Sequence, residues 1–529
     1  MASNGGVLKN VFTVGAFTSL SRVLGLIREM LQSRLIGAGV EQSAFTIAFA
    51  IPNMSRKLFG EGALTAAFVP VFKGELETNS IERATKLARA VMTMTFLMLG
   101  SLMILAMGSL EVIVNYREEL GVHDMPRFNL TIKLIKTLLP YMIFICGAAF
   151  GMGVLNAMGR FKASSFMPCL LNLVWIGMLG WIAFNPQYSL EQRVHSVAIA
   201  ILTAGAAQMV FMLWRMKCVG ISPKPIFSGW RDEKVRLVWR NVGIAAVGSG
   251  AIQINYMLDQ VLAQFASPWA AGVIGYAERL MDLPLGVIGV AFGAVLLPTF
   301  AGYFAKGDIK GAQAVLSSSV SNLMFIMLPS AAGLFILAPE ITAVVYQGGD
   351  FTSIDTIRVS RALAVYALGL GFFGFQKAIV PYFQAQNDMK TPLRVSVFTV
   401  ILNASLNIMA VFLLPESWRH VGLALSTVVC ALVGVVILVV IAKIKAGRIG
   451  LSQSIKPCIK ALIGAIIMAL AVMVTKKFFS GAFLNEGFSI EKIIALALEI
   501  LVGIMVYGVY SVVLMRERIS SFIRKRLNK

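Results

Sequence analysis

The chain has 529 residues, 57% of them hydrophobic and only 14% charged, with mean hydropathy +0.79. A soluble globular domain carries about 25% charged residues, so that class is excluded and a polytopic membrane protein is indicated. The net charge of +21 would suggest nucleic acid in a soluble protein, but basic residues collect on the cytoplasmic loops of membrane proteins, so no nucleic-acid partner is expected.

Apolar runs such as 461–474 and 493–514 are too long for the ten-residue alternating strands of a barrel, so the fold class is all-α. Hydropathy predicts fourteen spans, near 8–35, 42–72, 86–114, 131–157, 165–185, 195–216, 238–265, 270–302, 312–346, 358–386, 392–414, 420–443, 455–476 and 490–514. No cleavable leader is expected, because the first apolar run leads directly into Arg22. Most basic residues fall on one side of this arrangement. Arg215, Lys217, Lys224, Arg231, Lys234, Arg236 and Arg240 lie together after the sixth span, and the tail after 514 is basic. That asymmetry places both termini in the cytoplasm.

An internal repeat with a six-span period is visible. The second span ends in Phe68-Val69-Pro70-Val71-Phe72 and the eighth in Leu296-Leu297-Pro298-Thr299-Phe300. The fourth ends at Asn156 before Gly159-Arg160-Phe161-Lys162, the tenth at Gln384 before Asn387-Asp388-Met389-Lys390. An even period gives the two halves the same orientation and leaves the last two spans outside the repeat.

The informative residues are charges inside spans. The first span holds Arg22, Arg28 and Glu29; Arg22 and Glu29, seven apart, share a face, and Gly25 leaves room for a ligand or a neighbouring helix. The second holds Pro52-Asn53-Met54-Ser55-Arg56-Lys57 with Glu61-Gly62 following, and its proline predicts a bend near the cations. The eighth holds Glu278, Arg279 and Asp282 before Pro284. Each such cation facing lipid at mid-membrane would cost about 2.5–3.5 kcal/mol, so these residues must face protein or a polar cavity. They pair with Glu29, Glu61, Glu278 and Asp282 as structural ion pairs, or they surround an anion. Three spans from both halves supplying cations favours the anion. Arginine suits phosphate, because its planar fork makes two parallel charge-assisted bonds. A second set, Asp259 with Asn403 and Asn407, offers oxygens for Na⁺ or a proton relay, or else ordinary interhelical hydrogen bonds. The five cysteines show no CxxC spacing, so no metal site or disulfide framework is expected. His123, His195 and His420 lie near span ends and read as surface residues.

Ser21-Arg22-Val23-Leu24-Gly25 through Arg28-Glu29, the Pro52–Lys57 stretch with Glu61-Gly62-Ala63, Asn156 with Gly159-Arg160-Phe161, and Ala277-Glu278-Arg279-Leu280 through Pro284 and Pro298 together resemble the MurJ (MviN) lipid II flippases. Gly348-Gly349-Asp350-Phe351 and Lys390-Thr391-Pro392 also look like that family. The resemblance covers nearly the whole chain. It implies membership of the multidrug/oligosaccharidyl-lipid/polysaccharide exporter superfamily, with two six-helix lobes (1–220 and 221–446) in a V around a cavity. Residues 447–529 would then supply two helices grooved for a polyprenyl tail, and the basic tail. The implied activity is transport of lipid II, the undecaprenyl-pyrophosphate-linked peptidoglycan precursor, across the inner membrane by alternating access, with no enzymatic chemistry. The implied substrate-binding residues are Arg22, Arg28, Glu29, Arg56, Lys57 and Arg279. No cofactor is implied. Na⁺ at Asp259, Asn403 and Asn407, or a proton, is the implied coupling ion, and lipid II, the membrane and peptidoglycan synthesis enzymes are the implied partners. The chain departs from the family in three places: Glu29 stands for the usual Asp, Ser43 precedes Ala44-Phe45 where an Asp is common, and Asn407 replaces an expected acid.

The rivals are a flippase for another polyprenyl-linked glycan, a multidrug exporter, a polyprenyl-phosphate enzyme and a non-transporting scaffold. An exporter of organic cations needs carboxylates in its cavity rather than arginines. An enzyme needs paired aspartates for Mg²⁺ or a catalytic histidine, and no DxxD cluster occurs. A scaffold has no use for arginines in three spans.

Overall fold

A computed structural model describes residues 4–60, 63–116, 125–447, 449–483, 487 and 489–527. Glu61, Gly62 and His123 lie outside the described residues. Regular structure among the described residues is helical, apart from one isolated bridge between Gly348 and Phe351, in agreement with the expected all-α class. The chain falls into two compact units, residues 1–264 and 265–529.

The first unit contains α1 (Asn4–Ile36), α2 (Val40–Ser55), a π-helical turn (Arg56–Gly60), α3 (Ala63–Thr78), α4 (Ile81–Asn115), α5 (Met125–Leu138), α6 (Tyr141–Ala157), α7 (Phe161–Ala183), α8 (Leu190–Cys218) and nearly all of α9 (Glu233–Ala266). One core joins α2, α5, α6, α7 and α8 through Phe45, Leu134, Tyr141, Trp175 and Val197. A second buries Phe68, Phe72 and Phe150 between α3, α4 and α6.

The second unit contains α10 (Ala270–Ala305), α11 (Ile309–Ile336), α12 (Ala338–Tyr346), α13 (Ser353–Gln384), α14 (Lys390–Leu413), α15 (Glu416–Ala446), α16 (Ser452–Phe479) and α17 (Ile490–Leu527). The last two helices belong to this unit. Tyr507 on α17 donates to the Phe325 carbonyl of α11 at 2.7 Å, and Lys476 on α16 pairs with Glu340 of α12 at 2.8 Å.

Among the described residues ten helical segments are long and apolar enough to cross a membrane. The four expected spans outside that set are those carrying Arg22, Arg28, Arg56, Lys57, Asp259 and Arg279; they are built as α1, α2 with α3, α9 and α10. Besides the 42–72 span, which divides into α2, the π-helical turn and α3, two further expected spans are broken. Segment 131–157 divides at Leu139-Pro140, and 312–346 divides at Leu337, with Pro339 in the first turn of α12. Proline has no N–H and crowds the preceding turn, so it starts helices more readily than it continues them.

The two halves reuse the same local devices. Pro70 and Pro298 both lie inside helices, and Phe68, Phe72 and Phe300 beside them are all fully buried. The turn after α6 is closed by bonds from Gly159 N to Asn156 O (3.0 Å) and Arg160 N to Leu155 O (2.8 Å). The turn after α13 is closed by Asn387 N to Gln384 O (3.0 Å) and Asp388 N to Phe383 O (3.1 Å). Gly159 (φ 73°) and Asn387 (φ 59°) both take the left-handed conformation this helix cap requires. The proline pair and the turn pair are separated by the same chain distance, so the repeat extends to backbone geometry.

Candidate functional site

In the first unit the Arg28 guanidinium is fixed from three directions. Nη1 donates to Asn172 Oδ1 of α7 at 2.9 Å, Nη2 pairs with the neighbouring Glu29 carboxylate, and Cζ sits 4.4 Å over the Trp175 ring. The side chains of Arg28 and Glu29 are each only 11% exposed. Trp175 is itself held edge-on by Phe45 and Phe49 of α2, at centroid separations of 5.8 and 5.7 Å. Asn172 also reaches back to α1, donating from Nδ2 to the Ser21 carbonyl at 3.0 Å. Core packing between α2 and α7 therefore sets the direction of the α1 arginine. The room beside Gly25 faces α7, since a Cβ there would lie 3.8 Å from Asn172 Nδ2.

Arg22 and Glu29 share a face in the sequence pattern, but the ion pair that Glu29 makes is with Arg28. On a helix, residues seven apart are almost two turns distant, whereas neighbouring side chains of this length can curl together over one surface. Arg22 is exposed, and its side chain forms no ion pair or hydrogen bond among the described residues. Within α1, then, Arg28 is the oriented cation and Arg22 the accessible one.

The bend expected near Pro52 is a π-helical turn that begins at Arg56, four residues further on. Such turns widen the helix and recur at functional positions. Arg56 uses Nε and Nη2 on the Asn53 Oδ1 oxygen, at 3.2 and 3.1 Å. Lys57 lies over the Tyr256 ring of α9 with Nζ 5.1 Å from its centroid. One turn along α9 from Tyr256, Asp259 accepts from Asn255 Nδ2 at 3.3 Å.

In the second unit, Arg279 and Asp282 are exposed on α10, while Glu278 accepts from the Tyr366 hydroxyl of α13 at 3.3 Å. The residues before them are anchored by an aromatic group. The Tyr276 ring lies tilted 4.7 Å from that of Tyr346 and edge-on 5.6 Å from that of Phe351, and the Tyr346 hydroxyl donates to the Tyr276 carbonyl at 3.3 Å. The Gly348-Gly349-Asp350-Phe351 motif builds this anchor. Its glycines take φ values of 137° and 57°, closed to most L side chains, and the turn delivers Phe351 into the cluster.

Asn407 donates from Nδ2 to Asn403 Oδ1 at 2.8 Å, and Asn403 Nδ2 lies 3.5 Å from Thr427 Oγ1 of α15. Both asparagines are fully buried, and their expected common face is present. Among the described residues no group of three His, Cys, Asp or Glu side chains is placed to hold a metal ion. His420, expected at the surface, is buried, packed edge-on against Trp269 at 5.0 Å.

The Lys390-Thr391 motif is structural. Asp388 accepts from Lys445 Nζ at 2.6 Å, from Thr391 Oγ1 at 2.7 Å and from the Thr391 N–H at 3.0 Å. Burial acts to raise the pKa of this loop carboxylate, but the hydrogen bonds and the lysine charge outweigh it and hold the pKa down at about 2.

The family model described as "Lipid II flippase MurJ" matches residues 32–512. This chain belongs to the MurJ lipid II flippase family. A probable lipid II flippase MurJ of Rickettsia prowazekii (strain Madrid E) is 28% identical over 497 residues, 93% of this chain and 94% of the relative. One of Rhizobium tropici is 33% identical over 419 residues, covering 79% and 78%. The lipid II flippase MurJ of Burkholderia cenocepacia (strain J2315) is 31% identical over 426 residues, covering 79% and 80%. A solved structure titled as lipid II flippase MurJ in an inward closed conformation superposes with TM-score 0.76 at 25% identity, covering 96% of this chain and 99% of that one. An inward-facing multidrug resistance MATE family transporter of the MOP superfamily shares the fold, with TM-score 0.65 at 15% identity, covering 81% and 96%.

Asn172, Trp175, Tyr256, Tyr366 and Thr427 are site neighbours that hydropathy and motif reading do not single out. For Asn172 a signal exists: it is a lone amide deep in the apolar run of α7, and an amide in a membrane span needs a partner.

Proposed function

We propose that this chain is a multi-pass inner-membrane lipid II flippase. In this reading it moves the undecaprenyl-pyrophosphate-linked peptidoglycan precursor from the cytoplasmic to the outer leaflet by alternating access, with both termini in the cytoplasm. The observation that carries the reading is Arg28. A guanidinium within an apolar helix, braced by an amide, a carboxylate and an indole, is pre-oriented to take an oxyanion without reorganising. Arg22, Arg56, Lys57 and Arg279 supply further charge for the pyrophosphate, while Glu29 limits the repulsion that Arg28 would feel in the empty state. Binding of the anion neutralises the cations and favours closure on the loaded side. The tail follows α16 and α17, where Ile466, Leu470, Ile504 and Val509 are exposed. Asp259, Asn403 and Asn407 offer oxygens to a coupling Na⁺. An inside-negative potential assists export by about 2.3 kcal/mol per charge per 100 mV if the full field is crossed.

Depletion of the protein should leave lipid II inaccessible to a probe added outside the cell while its total amount rises. Unchanged accessibility after depletion refutes the assignment.

A further inference from the structure

A second polar site lies in the second unit, apart from the flippase residues. A cavity of about 620 Å³ is lined by Trp269, Ile354, Ile357, Arg358, Arg361 and Glu416, among others. Residues 354, 357, 358 and 361 are spaced to form one face of α13. The guanidinium of Arg358 stacks 3.9 Å from the Trp269 ring centroid, and that of Arg361 lies 4.9 Å from Trp418.

Three helices begin at this cavity: α10 directly after Trp269, α13 at Ser353 and α15 at Glu416. Each helix start carries partial positive charge, which adds to the two arginines. Two carboxylates lie near them, of which Glu416 is on the lining. The Asp355 carboxylate is committed to the α13 cap, accepting from Thr352 N at 3.1 Å and Thr352 Oγ1 at 2.9 Å, and lies 3.4 Å from Arg358 Nη1. Glu416 is exposed on the lining, and its Oε1 is 3.5 Å from Ser267 Oγ. The lining thus carries two arginines on the α13 wall and a single carboxylate, Glu416, on the α15 wall. Such a pair of walls selects a dipolar ligand over a simple anion.

The site also lies at the ends of two membrane-crossing segments, Ser353–Gln384 and Glu416–Lys445. Ile354 and Ile357 are 59% and 50% exposed beside the arginines, so an apolar surface continues from the polar one. Tryptophans at span ends mark the interfacial layer of the bilayer.

We propose that this cavity binds the headgroup of a zwitterionic aminophospholipid. The phosphodiester lies against Arg358 and Arg361, the primary ammonium against Glu416, and the acyl chains run along Ile354 and Ile357. A trimethylated headgroup keeps the charge but cannot donate hydrogen bonds to Glu416. An anionic glycerol headgroup meets the carboxylate with no cation to offer it.

The test uses the purified full-length protein in nanodiscs whose minor lipid is phosphatidylethanolamine, phosphatidylcholine or phosphatidylglycerol, with retained lipid read by native mass spectrometry. Phosphatidylethanolamine should be retained about tenfold better than either other lipid, the weight of one charge-assisted hydrogen bond. Glu416→Gln should remove the preference for ethanolamine over choline. Arg361→Ala, at an exposed position, should reduce retention of ethanolamine and choline lipids alike. Equal retention of the three lipids by the wild-type protein overturns the proposal without recourse to any variant. So does full retention by both variants. Inorganic phosphate that displaces the lipid at equal concentration would identify a free-anion site and overturn the lipid assignment.

Discussion

Replacing Asn172 with Ala tests whether the bracing of Arg28 matters to transport. Asn172 is 5% exposed and holds α1 at two points, accepting from Arg28 Nη1 at 2.9 Å and donating to the Ser21 carbonyl at 3.0 Å. A hydrogen bond from a charged donor contributes about 1.5–3 kcal/mol. Arg28 retains Glu29 and Trp175 in the variant, so the lower end of that range applies to its orientation. At 1.4 kcal/mol per factor of ten, the initial rate of lipid II flipping should fall about tenfold. The assay is a proteoliposome measurement with labelled lipid II at matched protein density, alongside a thermal melt of the same preparation. The melting temperature should fall as well, through loss of the Ser21 bond. A lowered melting temperature with an unchanged flipping rate would make Asn172 a packing residue and refute the link between Arg28 orientation and transport.

Arg279→Ala removes an exposed cation from α10 without touching the Tyr276–Tyr346–Phe351 anchor, so growth complementation should be lost while membrane abundance stays normal. Asp388 should make the protein acid-sensitive in a defined window. Its pKa of about 2 lies below the unfolded value, so its stabilising contribution is complete above about pH 4 and is lost as pH falls through about 2. Melting curves of wild type and Asp388→Asn should therefore differ at pH 6 and converge near pH 2. Lys445 is 53% exposed, so added salt should narrow the difference at pH 6. Gly464→Ala puts a methyl group 2.3 Å from the Tyr510 ring, where α16 meets α17. It should destabilise the protein by about 1–3 kcal/mol through overpacking, read as a lower melting temperature.

Hydropathy alone predicts an all-helical membrane protein, because apolar runs longer than 18 residues have few other uses. It does not place the breaks at Leu139-Pro140 and Leu337, since apolarity continues across them and only the prolines mark them. Arg22, Arg28, Arg56 and Arg279 stand out in the sequence because a cation in an apolar run is costly. Their partners are less legible. Trp175 reads as one more apolar residue, and only tertiary packing brings its ring over Arg28. Helix spacing puts Glu29 on the face of Arg22 but does not give its partner, because Arg28 and Glu29 curl toward one another. Asn403 and Asn407 are legible as a stacked pair, whereas Thr427 joins them from another helix.

The central claim is that the oriented Arg28 charge engages the lipid-linked pyrophosphate. Arg28→Ala alone is an ambiguous variant, because it leaves the buried Glu29 carboxylate unbalanced, a loss worth about 3–5 kcal/mol in stability. Arg28→Gln combined with Glu29→Gln removes both charges and keeps polar groups in place. The decisive measurement is the flipping rate of labelled lipid II in proteoliposomes containing this double variant, compared with wild type at equal folded protein. The account predicts that flipping falls to the protein-free background; flipping at the wild-type rate would contradict it.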